Sequence, residues 1–571
     1  MFTPAAEARL AAKLEMARLL VFPAKDLSMT RVRLRFSTVA FGCVVATFAV
    51  PVLPATATTL AKSVVATSCN DSWKSGVSGD WSASANWTAG VPAGNSDVCI
   101  TVPGTYTVTL APWSVGTADP NHNGDAVNSL TLGAASGAGT QTLDIAGQGS
   151  QSDSNEQVSS VFLQVAATSV ITAHGRLVLD STDGGSTLKG FPSGGEAALV
   201  GANILNYGRI NTEVQDSRNK NANFTQIEAP LTNEKRASIH DNSGQLQATA
   251  VTNDGTFTVA PRASLSVVAL QGSYGSSASF TNNGHLTNDG TVTADQGAGP
   301  TTWDQAGGPI KGHEIVLGSG TTLVDKSGAG RFLVNAISAQ LRGTIPAGQT
   351  ITVVGEAYNS NGDNYNGTTL GLGNTTVTND GTLVLDAQGS GKTSGGPAVV
   401  GGGTINNNGT ILAEVQDPVW TVQLQAGLEN RHKGSLSLTG GTLTDNGGAV
   451  TNNGTVTLGL ATTFVLQEGA TFANESDGTI VTDIANAKSL GQFVLTGPCC
   501  AGPGKFAAGG NLLPEVVGGH TPAAGTDFQV VLLSGGAFSG TFEHLGNGFK
   551  ADYAHESASP AFVGAIYRHN A

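Results

Sequence analysis

Carboxylates are the residues of this chain most suited to chemistry, and one arrangement of them occurs twice: Glu-Val-Gln-Asp, as Glu213/Asp216 and again as Glu414/Asp417. Glycoside hydrolysis uses two such acids at a set separation, one to protonate the leaving group and one as base or nucleophile. On a strand, however, residues three apart point to opposite faces, so these two acids would not converge. An internal duplication also leaves the same phrase twice with no chemistry attached. His313-Glu314 lacks the second histidine of a zinc-protease helix, and the ten histidines stand singly, without a Cys/His cluster of zinc spacing. The polar runs 119–125 and 359–363 carry oxygen ligands suited to calcium, yet neither follows an EF-hand loop or a Gly-Gly-x-Gly-x-Asp repeat, and both read as polar turns. Nothing resembles a phosphate loop, a nucleophile elbow or a dinucleotide fingerprint. The expectation is a non-enzyme without cofactor or metal.

The elements that must position any site are strands. Glycine contributes 77 of 571 residues, charged residues 12% and aromatics 6%. Thr, Val, Ser and Asn fill much of the rest, which suits short strands and tight turns. A phrase recurs: Asn, one or two spacers, Gly, then alternating Thr/Val/Ile/Leu. It places Gly208, Gly255, Gly290, Gly381, Gly409 and Gly454 at successive corners. Glycine, and less easily Asn or Asp, tolerates a left-handed backbone, so these corners are expected to be left-handed. The alternation that follows sends every second side chain inward. One copy would mean only a hairpin; copies at intervals of roughly 20 to 45 residues mean stacked repeats that depend on their neighbours.

A longer periodicity lies above this one. Residues 174–180 match 380–386, residues 208–216 match 409–417, and Gly255 pairs with Gly454. The reading is an all-β, elongated β-solenoid, a right-handed parallel β-helix with N- and C-terminal caps, in preference to tandem β-sandwiches. Its divisions are 1–57, an extension plus secretory signal; 58–127, an N-terminal cap; 128–305 and 306–490, two solenoid blocks; and 491–571, a C-terminal capping region.

Arg31, Arg33 and Arg35, the largely apolar stretch 36–53 and Ala55-Thr56-Ala57 form the signal, with Met29 as the expected start and Thr58 as the mature N-terminus. The residues before Cys43 make a poor lipidation site, and no transmembrane segment is expected after cleavage. An exported chain permits a disulfide, expected between Cys69 and Cys99. The stacked coils would set the chain ends on the order of 85 Å apart, which argues against a bridge from there to Cys499-Cys500. That pair is compatible with a vicinal disulfide, free thiols or a link between molecules. The formal charge is −14; without residues 1–57 it is 21 basic against 39 acidic, or −18. Such a balance argues against nucleic acid and against anionic lipid surfaces.

Gly79-Asp80-Trp81, Asn86-Trp87, Gly90-Val91-Pro92 and Asp97-Val98-Cys99-Ile100, followed by Ser129-Leu130-Thr131-Leu132-Gly133, resemble the signature that opens many secreted bacterial β-helix proteins. The stretch 524–531, Ser539-Gly540-Thr541-Phe542, Tyr553 and 562–567 resemble the close of autotransporter passenger domains, although no membrane barrel follows. Trp81 and Trp87 then suit a cap over the open end of the solenoid, with a sugar-stacking platform as the rival role. The resemblance implies a secreted or cell-surface, structural or adhesin-like protein presenting an extended face to glycans, cell envelope or other cell surfaces. The alternative is a polysaccharide lyase or hydrolase with a divergent site in loops 181–200 or 387–403. Clustered acids with Arg or Lys on one face favour the enzyme; a smooth face of Asn, Thr and Ser favours the adhesin.

Overall fold

Short runs that alternate Thr with Val, Ile, Leu or Phe become strands with one buried edge. In Thr256–Val259, Phe257 and Val259 point inward while Thr256 and Thr258 face out. Burying one such edge requires a partner on every side, and the chain supplies it by winding. The computed structural model describes residues 68–568 apart from 112–123, 150–157, 160, 183–195, 215–223, 271–276, 356–366, 389–395, 417–419, 498–501, 520, 547 and 555–560. The expected signal segment, Cys43, Cys499-Cys500, Asp216, Asp417 and residues 359–363 lie outside the described residues, as do 119–123.

The described residues belong to one unit, 66–571. It is a parallel β-solenoid, and among the described residues its helical element is the 3-10 turn Ser84–Asn86. A representative coil places Ala197–Gly201 on a first face, Ile204–Asn206 on a second and Arg209–Val214 on a third. The next coil repeats this with Phe224–Ile227, Leu231–Asn233 and Ser238–Asp241, each parallel to and in register with its predecessor. The third sheet ends at Ile310–Gly312. The coil after it returns from Ile315–Leu317 to the first face at Gly330–Val334 with only Thr321–Ser327 between. Later coils again have three sides, the second and third now belonging to one sheet, and in some coils a single strand spans both. Ala398–Asn407 pairs with Thr421–Asn430 in two stretches separated by a register shift between Gly401 and Thr404.

This short coil turns the second sequence block by one face relative to the first. Ala197–Gly201 lies on the first face, whereas its counterpart stretch from Ala398 pairs along the second. Arg209–Val214 lies on the third face, and its counterpart Thr410–Val415 on the first.

Two ladders of buried asparagine run along the corners. In the first, Asn206 Nδ2 donates to Asn233 Oδ1 (2.8 Å), Asn233 to Asn253 (2.8 Å) and Asn253 to Asn282 (3.0 Å); Asn282 ends on Gln305 Oε1 (3.3 Å). In the second, Asn379 donates to Asn407 (2.7 Å), Asn407 to Asn430 (2.8 Å), Asn430 to Asn452 (2.7 Å) and Asn452 to Asn474 (2.7 Å). The other Nδ2 hydrogen crosses the corner to a main-chain carbonyl, as from Asn407 to Ser435 O (3.1 Å) and from Asn430 to Thr455 O (3.0 Å). Each of these asparagines is at most 4% exposed.

The corner glycines work differently from the sequence expectation. None of Gly208, Gly255, Gly290, Gly381, Gly409 and Gly454 has a left-handed φ. Their constraint is the preceding coil. A Cβ on Gly454 would lie 2.3 Å from both Arg431 O and Gly434 O, and one on Gly409 2.2 Å from Gly381 O. Left-handed residues sit elsewhere, at Gly201 and Gly441 and at the non-glycines Arg236 and Asn374.

At the N-terminal end, Asp71–Ser72 pairs with Asp97–Ile100, and Cys69 is disulfide-bonded to Cys99. Trp81 and Trp87, 0% and 1% exposed, meet edge to face with a third ring, Trp73, on the far side of Trp87. Trp87 Nε1 donates to Trp81 O (2.6 Å). Rings enclosed in this way fill the end of the core and offer no sugar-stacking platform. Further along, Phe280 and Trp303 stack at 4.4 Å on neighbouring coils. At the other end, Ala561–Tyr567 runs antiparallel to Asp527–Ser534 and Phe549–Asp552, occupying an edge that would otherwise recruit another strand.

Gly454→Ala should lose about 1–3 kcal/mol through overpacking, with the loosening confined to coils near residues 431–455. Gly94→Ala, where a Cβ meets nothing within 4 Å, should change nothing. Hydrogen exchange of the two variants checks this; equal effects, or loss spread evenly along the unit, would contradict the close-approach account.

Candidate functional site

Because the strands are parallel and in register, outward side chains at equivalent positions stack about 4.8 Å apart. On the first face of the later coils this makes three rows. Thr350, Thr382, Thr410, Ser435, Thr455 and Thr479 form a row of hydroxyls across six consecutive coils. Ser435 Oγ lies 3.3 Å from Thr410 Oγ1. Two residues further along each strand, Thr352, Val384, Leu412, Ser437, Thr457 and Val481 form a more apolar row. In a third row stand acids: Asp386 is opposite Glu414, and further along Asp483 is opposite Glu515.

The Asp386–Glu414 pair has a counterpart. Asp180 stands opposite Glu213 on the third face of the earlier coils. Offsets in the duplication, 206 for Asp180 and 201 for Glu213, carry one pair onto the other. The acids that meet therefore belong to neighbouring coils. Sequence reasoning coupled Glu213 to Asp216 and Glu414 to Asp417, and it missed Asp180 and Asp386. The signal was present in Leu-Val-Leu-Asp, which occurs at both 177–180 and 383–386.

The two pairs differ in company. In the first copy Arg176 bonds Glu213 at 3.5 Å, both side chains about one-third exposed. Asp144 lies close by, its pKa pushed up to about 6 by burial first and then by the charges of Asp180 and Glu213, with Arg176 opposing. In the second copy Thr382 stands where Arg176 stands in the first. Asp386 is 5% exposed; its Oδ2 accepts from the Gln388 and Gln416 amides, and its Oδ1 has no hydrogen-bond partner among the described residues. Burial raises its pKa, the two amides opposing.

Asp386 also lines a cleft of about 400 Å³, together with Glu314, Arg331, Leu333, Thr352 and Gln388. Arg331 donates to Gly312 O (2.7 Å) and lies 4.0 Å from Glu314. His313, next to Glu314 in sequence, places Nδ1 3.0 Å from Gly290 O. Among the described residues no three His, Cys, Asp or Glu side chains converge as a metal site would need.

Compared with known proteins, the chain matches no family model and no curated sequence.

Other acids serve the core. Asp241, 1% exposed, accepts from Thr212 Oγ1 (2.7 Å), and burial raises its pKa well above the usual range. Asp445 accepts from Gly448 N (2.8 Å) and is pushed up to about 7 by burial. Asp325, fully buried, accepts from Gln349 Nε2 and is pushed up to about 8, again by burial. A raised carboxyl favours the folded state while it stays protonated. Stability is therefore fullest below the unfolded pKa of about 3.9 and falls as pH rises toward 8. Asp325→Asn should raise the melting temperature at pH 8.5 and leave it nearly unchanged at pH 4. Thermal unfolding at both pH values tests this; an equal shift at each would contradict the burial of an ionisable group there.

Proposed function

We propose that the chain is a secreted or cell-surface, structural or adhesin-like protein whose solenoid presents an extended face to glycans or to other cell surfaces. The observation that carries this reading is the hydroxyl row from Thr350 to Thr479 beside the more apolar row from Thr352 to Val481. A periodic strip of hydroxyls beside a row in which Val384, Leu412 and Val481 add apolar patches suits a polymer with hydroxyl edges and C–H faces. Repeated weak contacts along a rigid strip add up without any deep pocket. Export is supported by the Arg-rich start and the Ala55-Thr56-Ala57 site, and the likeness to autotransporter passenger domains points the same way. No helix among the described residues is long and apolar enough to cross a membrane.

A second reading, a polysaccharide-active enzyme, is favoured by Asp144, Arg176, Asp180 and Glu213 gathered on the third face. Release of reducing ends from a polysaccharide, lost on combined Asp180→Asn and Glu213→Gln substitution, separates cleavage from binding.

The binding reading is tested by a glycan array and adhesion to whole cells. Thr410→Lys with Thr455→Lys, both outward, should leave the circular dichroism unchanged and weaken binding about tenfold, roughly 1.4 kcal/mol. Failure of the wild-type chain to bind any glycan or cell surface, or unchanged binding by the variant, would overturn it.

A further inference from the structure

The cleft at the N-terminal end of the hydroxyl strip holds features the strip lacks. Leu333 and Thr352 stand side by side in the apolar row. Val354, 9% exposed, adjoins them. Beside Val354 on the next coil lies Asp386, nearly enclosed, with two amide donors on Oδ2 and, among the described residues, none on Oδ1. A buried acceptor without a donor is an unfilled hydrogen-bonding position.

The surrounding charge selects the ligand class. Glu314 and Asp386 line the cleft, and Glu414 stands on the coil beside Asp386. The cation among the described lining residues, Arg331, is engaged by Gly312 O and by Glu314. Among the described residues, a uronate or sulfated sugar would meet carboxylates with no free cation to receive it. A neutral sugar offers hydroxyl donors and an apolar ring face, which suit Asp386 and Leu333 respectively. A volume of about 400 Å³ lies within the range of small-ligand sites.

We infer that this cleft is a subsite for a neutral saccharide, in which Asp386 accepts a hydrogen bond from a sugar hydroxyl and Leu333 and Val354 pack against the ring. The inference rests on the glycan-binding reading above and names the ligand class and the anchoring residue.

Calorimetric titration of the full chain with neutral hexasaccharides (gluco-, xylo- and manno-series) and with hexagalacturonate tests it. The wild-type chain should bind a neutral series and not the galacturonate. Asp386→Leu should weaken that binding about tenfold or more, and Asp386→Asn, which keeps an acceptor oxygen, should lose less. Thr352→Trp fills the cleft from an outward position without touching the core, and it should abolish binding even if Asp386→Leu fails to fold. Neutral-sugar binding that survives both Asp386→Leu and Thr352→Trp would overturn the subsite while leaving the extended face intact. Preference for galacturonate would overturn the ligand class, and no binding of any of the four by the wild-type chain would overturn the subsite, the extended face being judged by the array and cell adhesion.

Discussion

Two long runs of coils in this solenoid depend on one arrangement: an asparagine side chain pointing into each successive corner, from Asn206 to Asn282 and from Asn379 to Asn474, and bonded to the asparagine of the next coil. A buried amide needs both its oxygen and its nitrogen satisfied, since an unpaired polar group costs about 1–3 kcal/mol. The ladder meets this need by register. Asn407 gives one hydrogen to Asn430 and the other to Ser435 O, while its oxygen receives from Asn379. A coil shifted by one residue would send the amide outward and the neighbouring polar side chain inward. The ladder therefore specifies register as well as adding stability, and the outward rows of the first face inherit their alignment from it.

Glycine follows from the same closeness. With coils at strand spacing, the chain leaving an asparagine corner passes over the carbonyls of the coil below, and only a residue without Cβ fits. This explains why the phrase is Asn-x-Gly without invoking a left-handed backbone. It also accounts for the two ladders at different corners. The coil from Ile315 to Val334 omits the third side, so the second block resumes one face on, and its asparagines stack at the corner leading to the first face. A duplication normally copies a surface onto the same side of a solenoid; here it puts the acid pair of the third face onto the first.

The architecture was legible because the corner phrase and the alternation after it report directly on burial. The physical role of each corner residue was not, since a sequence shows that Asn and Gly recur but not which neighbour each one meets. Trp73 escaped notice because the N-terminal signature draws attention to Trp81 and Trp87, although all three rings form one cluster. The acid pairs escaped for a similar reason. Asp180 and Glu213 are 33 residues apart and become neighbours only when the coil length is known, whereas Glu213 and Asp216 are conspicuous in sequence. Buried Asp241, Asp325 and Asp445 carry no sequence signal at all, because an inward acid in an alternating strand looks like a turn residue.

The ladder itself is tested most directly by a double-mutant cycle read by native-state hydrogen exchange. Asn407→Ala and Asn430→Ala remove partners that touch; Asn379→Ala and Asn474→Ala remove partners at opposite ends of the same ladder. The neighbouring pair should show a coupling of about 0.5–3 kcal/mol, and the distant pair should be additive within about 0.5 kcal/mol. Additivity in both pairs would mean that the asparagines act independently and that the corners are held by something other than the ladder.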